Sequence, residues 1–460
     1  MTAHLIPVPF PGLFFKGWAL LPGMSADLAS FLEHHTLTLG DRVRVNWKAT
    51  LLEGIILPQP THGNVLVLKL DSGYNTGLAL GNISSIEKIQ HVSVPKSHMT
   101  QGEHPPHSSD KPGFSVVGVG GTIVSKVDYE KGGVIAKLSP EELTRMVPEI
   151  GSLAQIRRII SPFTKMSEDM VPQDWIEMAK VCHEELNKPD VEGIILTHGT
   201  DTLHYTAAAL SFMLPDLKKP VVLVGSQRSS DRGSSDASMN LICAAHAAIS
   251  GMAEVGICMH GSTSDDYCLF NRGTAVRKMH TTRRDAFRPI NRLPIAKITT
   301  DGFVEKLSEH RPRTNGNTGL DAVFNENVAL IKVYPGISPE VFDFYVNKGC
   351  RGFVIEATGL GHVHTTRIIP TIQRITQRGI PVFITAQTIY GRVNLNVYTN
   401  LRLLQDAGAV GLEDMTAETA YVKLGWVLAH TLDREKSKEM MLTNYAGEIS
   451  PASRTDVFLN

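Results

Sequence analysis

Cysteine is scarce. Cys182, Cys243, Cys258, Cys268 and Cys350 are odd in number and form no Cys-x-x-Cys pair. Neither a disulfide framework nor a zinc site is indicated, and a reducing cytoplasmic setting is expected. The histidines are scattered. There is no His-Glu-x-x-His spacing, and the close pair His362 and His364 lacks a third ligand, so no metal is expected. No run approaches the roughly 18 consecutive apolar residues of a membrane helix. Residues 5–21 are apolar but are broken by Pro7, Pro9 and Pro11, with no basic start and no small-x-small cleavage pattern. They read as a disordered extension and not as a signal peptide. An excess of either charge is also missing: 45 Lys and Arg face 46 Asp and Glu, a formal net charge of −1. That balance gives no long-range attraction to nucleic acid or to an anionic membrane. The local basic run of Arg272, Arg277, Arg283, Arg284, Arg288 and Arg292 reads as surface and interface charge more readily than as an RNA site.

What is present is ordinary globular material. In 460 residues, 42% are hydrophobic and 20% charged, enough for several sizeable cores and two or three domains. Residues 1–36 are expected to be a disordered N-terminal extension. Residues 37–95 follow a different grammar from the rest. Alternating strands at 42–47, 51–57, 65–70 and 74–80, with a turn at Asp71-Ser72-Gly73, indicate a small all-β barrel. It carries no catalytic constellation, so it reads as a spacer or docking module. Residues 96–113 are rich in Pro, His, Ser and Gly and form a linker. From 114 onward continuous apolar strands alternate with helices, the signature of a parallel sheet covered on both faces. Helices are expected at 140–147, 172–186, 235–249, 339–347, 367–377 and 417–429. A polar stretch at 306–326 breaks the pattern. The fold class is therefore α/β, with two parallel-sheet lobes at 114–312 and 313–460 after the barrel.

The chemistry gathers at strand ends. The apolar run Gly193-Ile194-Ile195-Leu196 stops in Thr197-His198-Gly199-Thr200-Asp201-Thr202, and a helix begins directly after it. Ligands bind at the carboxyl ends of strands in open α/β sheets. Taken alone, such a Thr-Asp is more often a helix cap. It is not alone. The strand 114–119 ends in Gly120-Gly121-Thr122-Ile123, and a later stretch reads Val276-Arg277-Lys278-Met279-His280-Thr281-Thr282. Gly118-Val119-Gly120-Gly121 lacks the third glycine in register for a dinucleotide fingerprint.

Together these three motifs resemble the bacterial-type asparaginase family over roughly residues 114 to 450. The resemblance implies amide hydrolysis with Thr122 as nucleophile. Thr200, Asp201 and Lys278 complete the site, and Tyr129 acts from a glycine-bounded lid loop. A Thr hydroxyl needs a neighbour to activate it; Tyr129 and the Thr200-Lys278-Asp201 set are both available, and the residues alone leave the choice open. Met166-Ser167-Glu168-Asp169-Met170 is similar to the family's Gly-Ser-Gln-Asp-Met, so Ser167, Glu168, Gly199 and Asp201 are expected to bind substrate. Glu168 departs from the family's Gln and would repel a substrate carboxylate unless it faces the α-amino group. The plain alternative for Ser167 or Asp169 is a helix cap.

The N-terminal pattern Gly40-Asp41-Arg42-Val43, Glu53-Gly54-Ile55-Ile56 and Lys69-Leu70-Asp71-Ser72-Gly73 resembles the first domain of the archaeal glutamyl-tRNA(Gln) amidotransferase D-subunit family, which plain asparaginases lack. Thr358-Gly359-Leu360-Gly361-His362-Val363, where asparaginases carry Gly-Asn, points the same way, as does Leu442-Thr443-Asn444-Tyr445-Ala446-Gly447-Glu448-Ile449. This resemblance implies a glutaminase chain that releases ammonia for conversion of Glu-tRNA(Gln) on a partner, the amidotransferase E-subunit, which binds the tRNA. ATP and magnesium are implied on that partner, with no cofactor in this chain. A homodimer core flanked by two partners, in the cytoplasm and with no membrane contact, is implied as well. The alternative is a free-standing cytoplasmic L-asparaginase acting on asparagine.

Overall fold

The computed structural model describes residues 26–48, 50–57, 64–70, 75–91, 111–120, 125–128, 133–136, 147–228 and 235–458. These fall into two compact units. Residues 1–25, the turn at 71–73 and most of the linker lie outside the described residues, as do residues 140–146 of the helix expected at 140–147; Val147 itself is not helical. A short helix at Pro148–Leu153 follows that stretch.

The N-terminal unit is a five-stranded antiparallel sheet, β1 (Asp41–Trp47), β2 (Thr50–Ile56), β3 (Val65–Leu70), β4 (Asn75–Ala79) and β5 (Ile83–His91), in the order β4-β3-β2-β1-β5. Among the described residues no β4–β5 ladder closes it; the two are joined by a 3-10 turn at Leu80–Asn82. Alternation sends Val43 and Val45 inward with Ile56, Leu66, Leu68 and Leu78, as a period of two requires. The extension expected over 1–36 needs correction. Ala26–His34 is a helix, and Leu28 and Leu32, four apart on one face, are buried in that same core with Leu37. Nine residues are too few to hold a helix unaided; this stripe of leucines against the sheet supplies the stabilisation. The buried Asp41 carboxylate accepts from Thr38 N and from Lys88 Nζ at 2.7 Å each, which ties the start of β1 to β5.

The second unit carries an eight-stranded sheet and a four-stranded one. In the first, β6 (Gly113–Gly118), β9 (Gln155–Ile160), β10 (Gly193–Thr197), β11 (Val221–Val224) and β12 (Val255–His260) run parallel in the order β9-β6-β10-β11-β12. Ser125–Asp128 (β7) and Gly133–Ala136 (β8) form a separate two-stranded sheet. Beyond β12 the parallel sheet expected from sequence is extended. There β13 (Cys268–Arg272), β16 (Ala296–Ile298) and β17 (Val304–Lys306) add antiparallel strands, and β14 (Val276–Lys278) pairs with β15 (Phe287–Pro289) alongside. Strands of three residues show no usable period, so they leave no pattern to read.

Strand order reverses between β6 and β10, because the chain leaves β6 for β9 on one side and returns to β10 on the other. That switch point opens a crevice at the carboxyl ends of the two strands. The helix Leu203–Met213, buried almost all round with Ala207, Ala208 and Ala209, packs behind it. The second sheet is parallel, β18 (Val328–Lys332), β19 (Gly352–Ala357), β20 (Val382–Ala386) and β21 (Val410–Gly411). Its last long helix, Ala417–His430, packs back onto Leu203–Met213. Phe212 stacks on Trp426 at 5.8 Å between ring centres, and Tyr205 meets Tyr421 edge-on at 6.4 Å. The two sheets thus share a continuous apolar core.

Candidate active site

Two strand ends frame the crevice. Val119 N donates to Thr197 O at 3.1 Å, which fixes the turn after β6 beside the end of β10, and Lys165 N donates to Val119 O at 3.0 Å. Gly120 has φ +132°, and a Cβ there would lie 2.1 Å from Lys165 O. Only glycine satisfies both conditions, so Gly120 is a requirement of this turn. Thr122 and Tyr129, the expected nucleophile and lid residue, lie outside the described residues.

Three expected residues are brought together. Lys278 Nζ donates to Thr200 Oγ1 at 2.9 Å and to Asp201 Oδ1 at 2.6 Å. The Lys278 side chain is about one-tenth exposed and that of Asp201 about two-thirds. The amine therefore sits under a carboxylate that opens to the crevice. Lys278 ends β14, where its register partner Phe287 is fully buried, so its backbone is held by packing. Among the described residues it leaves its neighbours to their own partners: Arg277 pairs with Glu418, Arg283 with Asp285, and Arg284 with Asp265.

The second strand end receives the 3-10 turn Ser167–Asp169. A Cβ on Gly199 would lie 2.8 Å from both Cβ and Oγ of Ser167, so the glycine lets Ser167 rest on the strand end. Thr202 Oγ1 then donates to Ser167 O at 2.6 Å. Ser167 is buried, whereas Glu168 is exposed and meets no partner among the described residues. Neither Ser167 nor Asp169 caps the helix Pro172–Leu186. That duty falls to Asp174, whose Oδ2 accepts from Val171 N at 2.8 Å.

Sequence reasoning passes over two histidines beside the cluster. His198 is fully buried. Its Nδ1 donates to Gly199 O at 2.6 Å and its Nε2 accepts from Thr206 Oγ1 at 2.9 Å, while Trp175 Nε1 donates to the same hydroxyl. A carbonyl can only accept, so Nδ1 carries a proton, and full burial favours the neutral ring. Burial pushes its pKa down to about 4. His204 is pushed down to about 3, by burial first and then by nearby Arg277 and Lys278, and its Nδ1 has no described partner. Both hide as apolar-run neighbours in the sequence. Each folded pKa lies below the ordinary 6.5, so the unfolded chain binds more protons in between. Stability from these two residues is complete above about pH 7 and falls on acidification, by about 1.4 kcal/mol per pH unit for each ring within its window. Urea unfolding at about pH 7.5 and about pH 5.5 should show this loss, and a His198→Asn, His204→Asn variant should show a smaller one. Equal slopes for the two proteins would contradict the assignment.

His362 lies in a turn of the second lobe. Its N donates to Thr358 O at 2.8 Å and its ring packs on Tyr398 at 5.3 Å, with no described bond to the Lys278 cluster. In a cleft of about 830 Å³, lined by Arg272, Arg292, Arg311, Arg454 and Tyr445 among others, the four arginines already have partners. Arg272 and Arg311 both engage Glu254, Arg292 binds Gly447 O and Ser450 Oγ, and Arg454 pairs with Asp456.

Comparison with known proteins bears on the family and the fold. Residues 114–310 match the model of the asparaginase N-terminal domain and residues 327–441 that of the glutaminase/asparaginase C-terminal domain. Residues 37–89 match the GatD N-terminal domain. The chain is 51% identical over 438 residues to the glutamyl-tRNA(Gln) amidotransferase D-subunit of Pyrococcus horikoshii, covering 93% of this chain and 99% of that one. The D-subunit of Thermococcus kodakarensis is 50% identical, covering 95% and 100%. That of Sulfolobus acidocaldarius is 44% identical, covering 93% and 95%. The chain belongs to the glutamyl-tRNA(Gln) amidotransferase D-subunit family. Among solved structures, the family fold is shared with the thermostable L-asparaginase from Thermococcus kodakarensis, at a TM-score of 0.65 and 33% identity. L-asparaginase I from Vibrio cholerae gives 0.64 and 28%. These cover 74% of this chain and 100% and 99% of the asparaginases. An amidotransferase D-subunit thus contains an asparaginase-type α/β body and additional chain. Among the described residues no helix is long and apolar enough to cross a membrane.

Proposed function

We propose that the chain is the glutaminase component of a tRNA-dependent amidotransferase. The observation that carries this is the Lys278 amine bridging Thr200 and Asp201 at the carboxyl end of β10, in a family whose members are amidotransferase subunits. In this reading the Thr122 hydroxyl attacks the side-chain amide carbon of glutamine. Its proton passes to the departing nitrogen, the C–N bond breaks, and ammonia leaves an ester on Thr122. Water then hydrolyses the ester to glutamate and restores the hydroxyl. Thr200 and Lys278 orient and deprotonate the attacking oxygen in one of the two steps, and Tyr129 assists proton transfer in the other. Asp201, exposed to the crevice, binds the substrate ammonium. Ser167 and the Gly199 backbone hold its carboxylate end, and Glu168 faces the α-amino group.

The ammonia serves a partner, the E-subunit, which binds the misacylated glutamyl-tRNA and activates its carboxylate with ATP and magnesium. Two copies of each chain make the assembly, in the cytoplasm. A free asparaginase is disfavoured because the solved asparaginases correspond to 74% of this chain and the remainder includes a domain matching the GatD N-terminal domain. The test is transfer of amide-labelled nitrogen. With chain, partner, ATP and glutamyl-tRNA together, label from glutamine should appear in tRNA-bound glutamine. Label confined to free ammonia under those conditions would contradict the proposal.

A further inference from the structure

The segment that carries Lys278 is held at both ends by one helix of the second lobe. At its Lys278 end, Arg277 Nε lies 2.8 Å from Glu418 Oε1, with the Glu418 side chain only 8% exposed. Burial pushes the Glu418 carboxyl up, and Arg277 pulls it back. At the other end, Thr419 Oγ1 donates to Thr274 O at 3.0 Å, and Thr274 Oγ1 donates to Ala446 O at 3.1 Å. Thr416 Oγ1 donates to Thr419 Oγ1 at 3.0 Å, which leaves the Thr419 proton directed at Thr274. The loop holding Ala446 is itself fixed by the same helix. Glu448 accepts from Tyr445 N and Ala446 N, and also from Lys423 Nζ at 2.5 Å. Lys423 further donates to Met441 O and Thr443 O. Both charged side chains are fully buried, an arrangement that survives only when every hydrogen bond is made.

Helix Ala417–His430 therefore holds the stretch 274–278 directly through Glu418 and Thr419, and indirectly through Lys423, whose partner Glu448 fixes the loop that accepts from Thr274. We infer that Glu418 and Thr419 are positioning residues for the amide hydrolysis: they set the register of Lys278 against Thr200 and Asp201. The second lobe in this way determines the alignment of a site whose described residues lie on the first. Neither residue touches the Lys278 amine in the structure, so each acts through the backbone of 274–278 and through Arg277. The inference rests on the proposed role of Lys278.

The test uses the full chain with its partner and glutamyl-tRNA, and reads ammonia release from glutamine. A misalignment of about 1 Å at a reacting group costs on the order of 100-fold in rate, so Glu418→Ala should lower kcat by about 10- to 100-fold, with KM within about twofold. Glu418→Gln keeps an oxygen that can accept from Arg277 Nε and should restore most of the rate. Thr419→Val removes the hydroxyl at nearly constant volume and should repeat the kcat loss. Circular dichroism and melting establish that each variant is folded; a merely structural role would lower the melting temperature and leave kcat per folded molecule unchanged. Folded Glu418→Ala and Thr419→Val proteins with wild-type kcat would overturn the inference. Should Glu418→Ala fail to fold, Thr419→Val decides between the same two outcomes. Lys278→Ala separates the two claims. If it stays active, the reading of the site fails. If it is dead while Glu418→Ala is fully active, only the positioning role fails.

Discussion

Lys278→Ala should reduce amide hydrolysis by at least about 10³-fold while leaving the fold intact, because removal of one member of a catalytic unit commonly costs roughly 10⁴-fold or more. The lysine amine is the only described group that touches both Thr200 Oγ1 and Asp201 Oδ1. Without it the hydroxyl loses its proton partner and the carboxylate loses its counter-charge. Asp201 is largely exposed, so water resolvates it and folding suffers little. Thr122→Ala should be equally severe, since in the proposed mechanism it removes the attacking oxygen. Groups that act as a unit do not add, so the Thr122→Ala, Lys278→Ala double variant should be no slower than the worse single one. Steady-state ammonia release by the three variants checks this. A multiplicative loss in the double variant would show that the two residues serve separate steps, and near-wild-type turnover in Thr122→Ala would pass the nucleophile to Thr200.

Much of this is legible from the residues alone, for stated reasons. An apolar run that stops in Thr197-His198-Gly199-Thr200-Asp201 marks a buried strand end with polar groups at the place where α/β sheets bind ligands, and β10 ends at Thr197. Lys278 is a different case. Amid Arg277, Arg283 and Arg284 it reads as one more solvated charge, and only its motif singles it out. In the structure those arginines are drawn off by Glu418, Asp285 and Asp265, and these partners lie as far as 141 positions away in the chain in the case of Arg277 and Glu418. Periodicity in a short window carries no trace of such pairing. Lys423 hides for the same reason. A lysine with a fully buried ion pair has the same local signature as an exposed one.

Elements escape the sequence where they are short or depend on a neighbour. The helix Ala26–His34 follows a proline-broken stretch and is held by burial of Leu28 and Leu32, a tertiary effect. The helices Thr399–Asp406 and Arg434–Leu442 are eight and nine residues long, and the antiparallel strands after β12 are shorter still. By contrast Pro172–Leu186 has the bounds its sequence indicates. Its stripe of Trp175, Ala179 and Cys182 spans about two turns, and Pro at the first helical position marks its start.

The second large effect concerns control of the reaction. Ammonia released without an acceptor is lost, and the proposed mechanism has Tyr129 act from a lid over the nucleophile. The isolated chain should therefore hydrolyse glutamine slowly. Partner and glutamyl-tRNA should raise the rate by favouring the closed loop, and a tenfold gain needs only about 1.4 kcal/mol of differential binding between the two loop states. Whatever part of the gain appears as tighter glutamine binding is reciprocal: glutamine should tighten association of the chain with the partner–tRNA complex by that same part. The decisive measurement is ammonia release from glutamine by the chain alone, with partner, and with partner plus glutamyl-tRNA. The account predicts a rise of about tenfold or more that requires the charged tRNA; equal rates in all three would contradict it.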